Sequence, residues 1–250
     1  IEGFLREENV RIRTEEIKFD VSGVGESQVG KRIFSYPEMV KRYEGFELKC
    51  DAGDVNENEI IGILGPNATG KTTMIKLLAG VSKPDEGATD IKMKVSYKPQ
   101  YIKPQEGKVG DLLESYELDE EFFNWVKKRL RIDELLEKEC TNLSGGELQR
   151  LAIAISLSQK ADIYLLDEPS AFLDIEQRLS LSKIIRRRIS DGKACFVVDH
   201  DIVFVDSISD RIIVFDGVSG SWGHASGPMK KREAMNKFLK IMGITMRRDK

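Results

Sequence analysis

The stretch that decides the fold is GPNATGKTT, at residues 65–73. An apolar run at residues 60–64 precedes it and predicts a buried strand, and residues 74–80 follow it as a helix that ends at a glycine. A strand, a glycine-rich loop that ends in Lys-Thr, and a helix are the parts of a phosphate-binding P-loop. The sequence therefore predicts phosphate binding at this loop.

The residue types of the loop fit this chemistry. Glycine at 65 and 70 lets backbone N–H groups curl around phosphate oxygens where a Cβ would obstruct the turn. The positive end of the following helix points at the anion. Lys71 supplies a positive charge to the outer phosphates, and the Thr72 hydroxyl can join a Mg²⁺ shell. The predicted phosphate-binding residues are Gly65, Asn67, Gly70, Lys71, Thr72 and Thr73.

Composition sets the outer limits of the interpretation. The 250 residues are 40% hydrophobic and 32% charged with a net charge of -3, which is typical of a soluble globular protein and shows no overall bias toward nucleic acid. No apolar run approaches the ~18 residues of a membrane span. The three cysteines are scattered, which argues against a disulfide framework and for a reducing, cytoplasmic location. The chain starts at Ile1, and we expect it to be a fragment of a longer protein.

The rest of the chain predicts an α/β organisation. Alternating apolar residues predict early strands at residues 16–21 and 45–50, which suggests an antiparallel β-layer beside the P-loop core. Helical spacing between residues 108 and 140 predicts two or three helices of an inserted subdomain. Buried strands are predicted at residues 162–166 and 193–198, a short strand at 95–100 and a last strand at 211–215. A helix is predicted at 177–190 and a helical, basic tail at 229–250.

Polar residues at the ends of these strands predict the chemistry. Asp167 and Glu168 follow a buried strand, where open α/β sheets place their sites, so Asp167 can hold Mg²⁺ through water and Glu168 can take a proton from an attacking water. His200 follows the next buried strand and is placed to contact a γ-phosphate. Gln100 ends a short strand, from which its amide oxygen can reach Mg²⁺ and the water.

The segment LSGGE, at residues 143–147, predicts a second phosphate-binding end. Ser144 is a plausible N-cap with Glu147 as its capping-box partner, and two glycines begin the helix. The P-loop helix already presents its N-terminus to the γ-phosphate, so a second helix N-terminus in the same domain is not needed at that phosphate. We therefore expect Ser144 and Gly146 to cover a nucleotide that is held by another P-loop domain.

Over residues 33–215 the chain resembles an ABC-type nucleotide-binding domain. The motifs are Walker A at 65–73, the Q-loop Gln100, the signature at 143–147, Walker B at 163–167, the catalytic Glu168, the D-loop at 170–174 and the H-switch His200. The resemblance implies an α/β fold with a mainly parallel core sheet, an antiparallel β-layer and an inserted helical subdomain. It also implies ATP and Mg²⁺ as ligands, with Mg²⁺ organised by Thr72, Gln100 and Asp167 and catalysis by Lys71, Gln100, Glu168 and His200.

Within this superfamily the chain resembles the ribosome-recycling, or RNase L inhibitor, subfamily E. The similar segments are 143–150, 167–174 and 244–249, and the surroundings of Tyr36 and of residues 45–48 are similar to that family's second nucleotide-binding domain. That family has an N-terminal iron–sulfur domain and two ABC domains. The resemblance implies a hinge segment and first strands at 1–30, the ABC domain at 31–220 with its helical subdomain at about 101–158, and a hinge helix and basic tail at 221–250.

Two departures from the superfamily pattern are evident. Ala68 stands where most members have glycine, so we expect the loop to avoid a glycine-restricted conformation there. Glu147 replaces the commoner glutamine. The aromatic residue that stacks on adenine is not fixed by a motif: Tyr43 and Phe46 are the candidates, and Tyr36 is a weaker one.

The resemblance implies ATP hydrolysis that closes two ABC domains and splits ribosomes. The implied partners are a second ABC domain, the small ribosomal subunit and release or rescue factors, with no membrane. Because each site needs a partner's signature, we expect the chain alone to bind nucleotide and turn it over poorly.

Three alternatives share parts of the pattern. An ATPase subunit of a membrane transporter has every catalytic motif but docks a transmembrane partner near Gln100. A chromosome-maintenance or repair ATPase would need a long coiled-coil insertion between Gln100 and Leu143, where only about forty residues lie. A non-catalytic scaffold is opposed by the presence of Lys71, Asp167 and Glu168.

Overall fold

A computed structural model describes the backbone of Phe4–Leu5 and Val10–Arg11, and residues 30–88, 91–101, 103 and 105–243. The predicted strand at 16–21, most of the predicted hinge segment at 1–30 and the basic end of the tail at 244–250 lie outside the described residues. The strands are β1 (Phe4–Leu5), β2 (Val10–Arg11), β3 (Arg32–Tyr36), β4 (Met39–Tyr43), β5 (Phe46–Cys50), β6 (Gly53–Asn56), β7 (Glu59–Leu64), β8 (Val95–Lys98), β9 (Ile163–Asp167), β10 (Ala194–Val198), β11 (Arg211–Val218), β12 (Trp222–Ala225) and β13 (Met229–Lys230). The α-helices are α1 (Lys71–Leu78), α2 (Val109–Glu114), α3 (Glu120–Arg129), α4 (Gly145–Ser158), α5 (Ile175–Ile189), α6 (Ile202–Ile208) and α7 (Lys231–Ile241).

The core is one large sheet in the order β4-β5-β12-β11-β7-β10-β9-β8, with β13 paired to β11. From β11 to β8 all neighbours are parallel, which confirms the mainly parallel core. Every residue of β7, β9 and β10 is buried, as expected for strands covered by helices on both faces. Val198 pairs with both Ile63 and Asp167, so the carboxyl ends of these three strands meet at one edge of the sheet.

The antiparallel layer is also confirmed. Strand β4 pairs antiparallel with β5, and β11 pairs antiparallel with β12, while β3 and β6 form a separate antiparallel ribbon. Strand β5 was predicted to begin one residue too early, and strand β12 was not predicted. Strand β12 lies parallel to β5 and joins the layer to the core. Because β5 and β12 are far apart in the chain, local sequence patterns do not indicate that they pair.

The inserted helical subdomain contains α2, α3 and α4, with short 3₁₀ turns at Ile132–Leu135 and Cys140–Asn142. The buried Arg188 of α5 ties it to the core. Its guanidinium donates to Asp119 Oδ2 at 2.8 Å, to the Tyr164 hydroxyl at 2.6 Å and to the Gln159 carbonyl at 2.7 Å. A buried charge with all of these partners fixes the orientation of α3 against β9 and α5.

The remaining helices cover the sheet. Helix α5 begins two residues earlier than predicted because Asp174, rather than a later residue, caps it through the Gln177 amide at 2.8 Å. Helix α6 was not predicted. Helix α7 packs against β11 through Ala234 and Phe238 and confirms a helical segment within the tail. The three cysteines are buried and free. Among the residues that the structure describes, no helix combines the length and apolarity needed to cross a membrane.

Candidate active site

A cleft of about 490 Å³ opens at the carboxyl edge of the parallel strands. The loop between β7 and α1 forms its floor. Gly70 caps α1 with φ of 100°, and a Cβ on Gly65 would collide with Phe215, so both positions require glycine. The cleft is lined by Phe46, Asn67, Ala68, Gly70, Lys71, Thr72, Thr73, Gln100, Glu168, Val198, His200 and Gly220.

Lys71 begins α1 and turns back over the loop. Its ammonium group donates to the carbonyl oxygens of Gly65 at 2.9 Å and Pro66 at 2.7 Å. Burial lowers the pKa of Lys71, and the nearby carboxylates of Glu168 and Asp167 oppose that shift. The loop therefore holds a cation whose charge is only partly compensated, which favours an anionic ligand.

Asp167 lies beneath the cleft at the end of β9 and is fully buried. Neither of its carboxylate oxygens has a hydrogen-bond partner of ordinary geometry in the described part of the chain. Burial raises the pKa of Asp167, and the nearby Thr72 hydroxyl lowers it. A buried carboxylate without partners, beside a hydroxyl and a phosphate-binding loop, fits the oxygen-donor set of a Mg²⁺ ion. No cluster of three or more His, Cys, Asp or Glu side chains that could hold a metal occurs among the described residues.

Glu168 follows Asp167 and faces the cleft. One carboxylate oxygen, Oε1, lies 2.7 Å from Gln100 Nε2 and 2.7 Å from His200 Nε2. Because a carboxylate accepts, the Gln100 amide nitrogen faces Glu168 and the amide oxygen is left for another ligand. The structure thus brings together Gln100, Glu168 and His200, three residues that are 32 to 100 positions apart in the chain.

Two non-glycine residues of the site have left-handed backbone. Ala68 has φ of 56° and Glu168 has φ of 50°. This conformation costs about 1–2 kcal/mol for a residue with a Cβ. The P-loop therefore keeps at Ala68 the conformation that glycine favours, and the expectation of a different backbone there is not met.

Three buried polar residues near the site were missed by sequence reasoning. Lys98 donates to the carbonyl oxygens of Asp167 at 2.8 Å, Pro99 at 3.2 Å and Glu168 at 3.3 Å, and burial lowers its pKa to about 8. Gln149 donates to the Glu168 and Pro169 carbonyls. Asp199 accepts from the amide and hydroxyl of Ser170 and from the Asp201 amide. The position of Lys98 inside the predicted strand at residues 95–100 was the one available signal.

The helix α4 has the predicted N-terminus. Ser144 is its N-cap, and the Glu147 carboxylate accepts from the Ser144 amide at 2.9 Å while the Ser144 hydroxyl oxygen accepts from the Glu147 amide at 3.3 Å. Ser144 and Gly145 are exposed, with Phe172 against Gly145. The predicted ligand residues that do not line the cleft are Ser144, Gly146, Tyr43, Gly65 and Asp167.

Glu147 makes the stability of this helix end depend on pH. The Lys138 ammonium, at 2.6 Å, and the Ser144 donors lower the pKa of Glu147 to about 2. A lowered pKa stabilises the fold above the ordinary value near 4.5, and this contribution is lost as the pH falls through about 2. We expect Glu147→Gln, which keeps the capping oxygen, to lower the free energy of unfolding by about 0.5–1 kcal/mol at pH 7 and by less than half as much at pH 3.

Urea unfolding of both proteins between pH 7 and pH 3 measures this difference. Glu114→Gln, which removes one carboxylate at an exposed position of α2, is the matched control. A Glu147→Gln difference that stays constant across this range would exclude the charge as its source.

These features together define an ABC-type ATP-binding domain. They are the P-loop after β7, the buried Asp167 with Glu168 at the end of β9, Gln100 and His200 on the same cleft, and the capped α4 helix outside the cleft. The family model described as "ABC transporter" matches residues 48–171. An ABC transporter E family member 3 of Arabidopsis thaliana is 43% identical over 62% of this chain and 93% of its own length.

Longer relatives match over the whole chain. An ABC transporter ATP-binding protein of Methanocaldococcus jannaschii is 54% identical over 99% of this chain, and the translation initiation factor RLI1 of Saccharomyces cerevisiae is 43% identical over 100% of it. The chain spans 42% of the length of each. A solved structure of an RNase-L Inhibitor has a TM-score of 0.91 and 47% identity, with 99% of this chain and 49% of that one covered. The chain belongs to the ABC family of ATP-binding proteins and, within it, to the RNase L inhibitor group, subfamily E.

Proposed function

We propose that this chain is the ATP-binding and hydrolysing half of a twin-ABC ATPase that splits ribosomes into subunits. The observation that supports hydrolysis most directly is the position of Glu168. Its carboxylate lies on the nucleotide cleft, and two donors at 2.7 Å hold one of its oxygens. The other oxygen remains to accept a proton from water.

The proposed chemistry is in-line attack of water on the γ-phosphate of ATP, which breaks the bond from the γ-phosphorus to the bridging oxygen and releases ADP and inorganic phosphate. Lys71 and the amides of residues 65–73 bind the phosphates. Glu168 orients the water and takes its proton, because its contacts fix it at the cleft wall. His200, whose side chain is 51% exposed, lies beside Glu168 at the cleft and stabilises the γ-phosphate.

Mg²⁺ is the second ligand that we propose. Thr72, Gln100 and Asp167 would hold it, because no donor in the described ranges reaches the buried Asp167 carboxylate with ordinary geometry and the Gln100 amide oxygen does not take part in the Glu168 contact. When bound, Mg²⁺ neutralises the charge on the phosphate oxygens.

The site is proposed to be half of a composite site. Ser144 and Gly146 stand at an exposed helix end and do not line this chain's own cleft. The first amides of a helix have no intrahelical acceptor, so they are available to a phosphate brought by another ABC domain. We therefore propose that a second ABC domain completes each site, and that the chain alone turns over ATP slowly.

Phe46 is the proposed adenine-stacking residue. It lines the cleft, whereas Tyr43 is half exposed and lies beside Lys41. Stacking of a base on an aromatic ring contributes about 1–3 kcal/mol, so Phe46→Ala should weaken ATP binding about tenfold, and Tyr43→Ala should change it less than twofold. Calorimetric titration with ATP distinguishes the two, and a larger loss with Tyr43→Ala would reverse the assignment.

The ribosomal part of the proposal comes from the relatives. RLI1 is named a translation initiation factor, and a structure similar to this chain, with a TM-score of 0.92 and 46% identity, is titled a model of ribosome-bound archaeal Pelota and ABCE1. We propose the small ribosomal subunit and a rescue factor as partners, and the cytoplasm as the location. A zinc import ATP-binding protein of Acinetobacter baylyi is 31% identical over 71% of this chain, which gives the transporter alternative weaker support.

Co-sedimentation tests the ribosomal proposal. The full-length protein should pellet with small ribosomal subunits when a non-hydrolysable ATP analogue is present, and should stay in the supernatant with ADP. Absence of pelleting in both nucleotides would contradict the ribosomal proposal and favour the transporter alternative, and equal pelleting in both would contradict the dependence of binding on ATP.

A further inference from the structure

The left-handed backbone of Glu168 is held in place by neighbouring groups. In the turn after β9, the Glu168 amide donates to the carbonyl oxygen of Val198, at the end of β10, at 2.7 Å. The turn also directs the Glu168 side chain at the cleft. A residue with a Cβ keeps this conformation only where its surroundings require it.

Two buried side chains hold the turn in this conformation through hydrogen bonds to its carbonyl groups. The Gln149 amide nitrogen lies 2.7 Å from the Glu168 carbonyl oxygen and 3.0 Å from that of Pro169. The Lys98 ammonium lies 2.8 Å from the Asp167 carbonyl oxygen and 3.3 Å from that of Glu168. Gln149 is 3% exposed and Lys98 is 1% exposed. Three consecutive carbonyl groups of the turn thus accept from two buried donors.

The two donors come from functionally distinct elements. Gln149 lies one helical turn into α4, the helix whose exposed end begins at Ser144. Lys98 ends β8, two residues before Gln100. A side chain on a rigid helix moves with that helix, so a displacement of the α4 end moves the Gln149 donor relative to the Glu168 carbonyl.

We propose that Gln149 is a positioning residue that couples the signature helix to the catalytic carboxylate of this chain, with Lys98 as the second support of the same turn. Engagement of the α4 end by the partner domain's nucleotide keeps the Gln149 donor on the Glu168 carbonyl. Each nucleotide site is thereby linked to the other through one buried hydrogen bond. This inference rests on the proposed role of Glu168.

The test uses the full-length protein and Gln149→Met, which keeps the side-chain length and removes the donor. Single-turnover ATP hydrolysis should fall about tenfold to a hundredfold, because misplacement of a catalytic group is costly, while the Kd for ATP stays within twofold. Gln149→Lys, which restores a donor, should recover part of the turnover. Gln159→Met is the control at the C-cap of the same helix, where the side-chain oxygen accepts from the Ser96 hydroxyl, and should leave turnover within twofold.

A double-mutant cycle identifies Glu168 as the group that Gln149 acts on. In a Glu168→Gln background, Gln149→Met should produce no further loss. An equal fractional loss in both backgrounds, or unchanged turnover of Gln149→Met, would overturn the proposal. If Gln149→Met does not fold, Gln149→Glu is tested in the same cycle. Glutamate has the same size as glutamine and is polar, but a carboxylate oxygen takes the place of the donating amide nitrogen. High turnover of Glu168→Gln alone refutes the role of Glu168 instead, so the two failures are distinct.

Discussion

Glu168→Gln should leave ATP binding intact and lower the turnover of the full-length protein by at least about a hundredfold. The substitution preserves shape: the side-chain oxygen of glutamine can still accept from Gln100 and His200, which now lie 2.7 Å from Oε1. It removes only the charge and the ability to take a proton. A positioned general base contributes about 10²–10⁴ to the rate, so the loss reports that role.

Single-turnover hydrolysis and the Kd for ATP measure the two effects separately. Glu114→Gln makes the same chemical change at an exposed position of α2 and should leave both values unchanged. Near-normal single-turnover hydrolysis by Glu168→Gln would falsify the proposed role. A large rise in the Kd would instead show that the glutamate supports nucleotide binding.

The elements of the fold that were predicted are those whose pattern is local. Strand β7, the P-loop and α1 follow one another directly, and the capping box of α4 lies within residues 144–147, so neighbouring residues alone specify them. Strands β12 and β13 and the pairing of β12 with β5 were not predicted. Their register depends on partners distant in the chain, and β12 contains Trp222 and His224 without a clear apolar alternation.

The candidate site shows the same division. The motif order pointed to Gln100, Glu168 and His200, and the structure places all three on one cleft. The donors that hold the Glu168 backbone were not predicted, because Gln149 and Lys98 bind main-chain carbonyls and the only signal was a lysine inside a predicted strand. The proposed choice of Phe46 over Tyr43 also needed the structure, because the two residues are paired opposite each other on β4 and β5 and only Phe46 lines the cleft.

Gly146→Asp should lower the turnover of the full-length protein by at least about a hundredfold, while this chain on its own binds ATP as before. The substituted position is the second residue of α4, where an acidic side chain favours the helix dipole, so the fold is retained or slightly stabilised. The same carboxylate occupies the end that the partner domain's phosphate would approach. It repels that phosphate and competes for the free amides of the first turn.

Matched substitutions separate charge from size. Gly146→Ala adds a Cβ that would lie 3.3 Å from the Phe172 carbonyl oxygen, a contact that a small shift relieves, so its loss of turnover should be several times smaller. Asn124→Asp adds the same charge at an exposed position of α3 and should have no effect. Since Ser144 and Gly146 do not line this chain's cleft, its own Kd for ATP should stay within twofold in Gly146→Asp. Weakened ATP binding by the isolated chain would mean that the α4 end serves the cleft of its own domain, and normal turnover of the full-length protein would mean that this end approaches no phosphate.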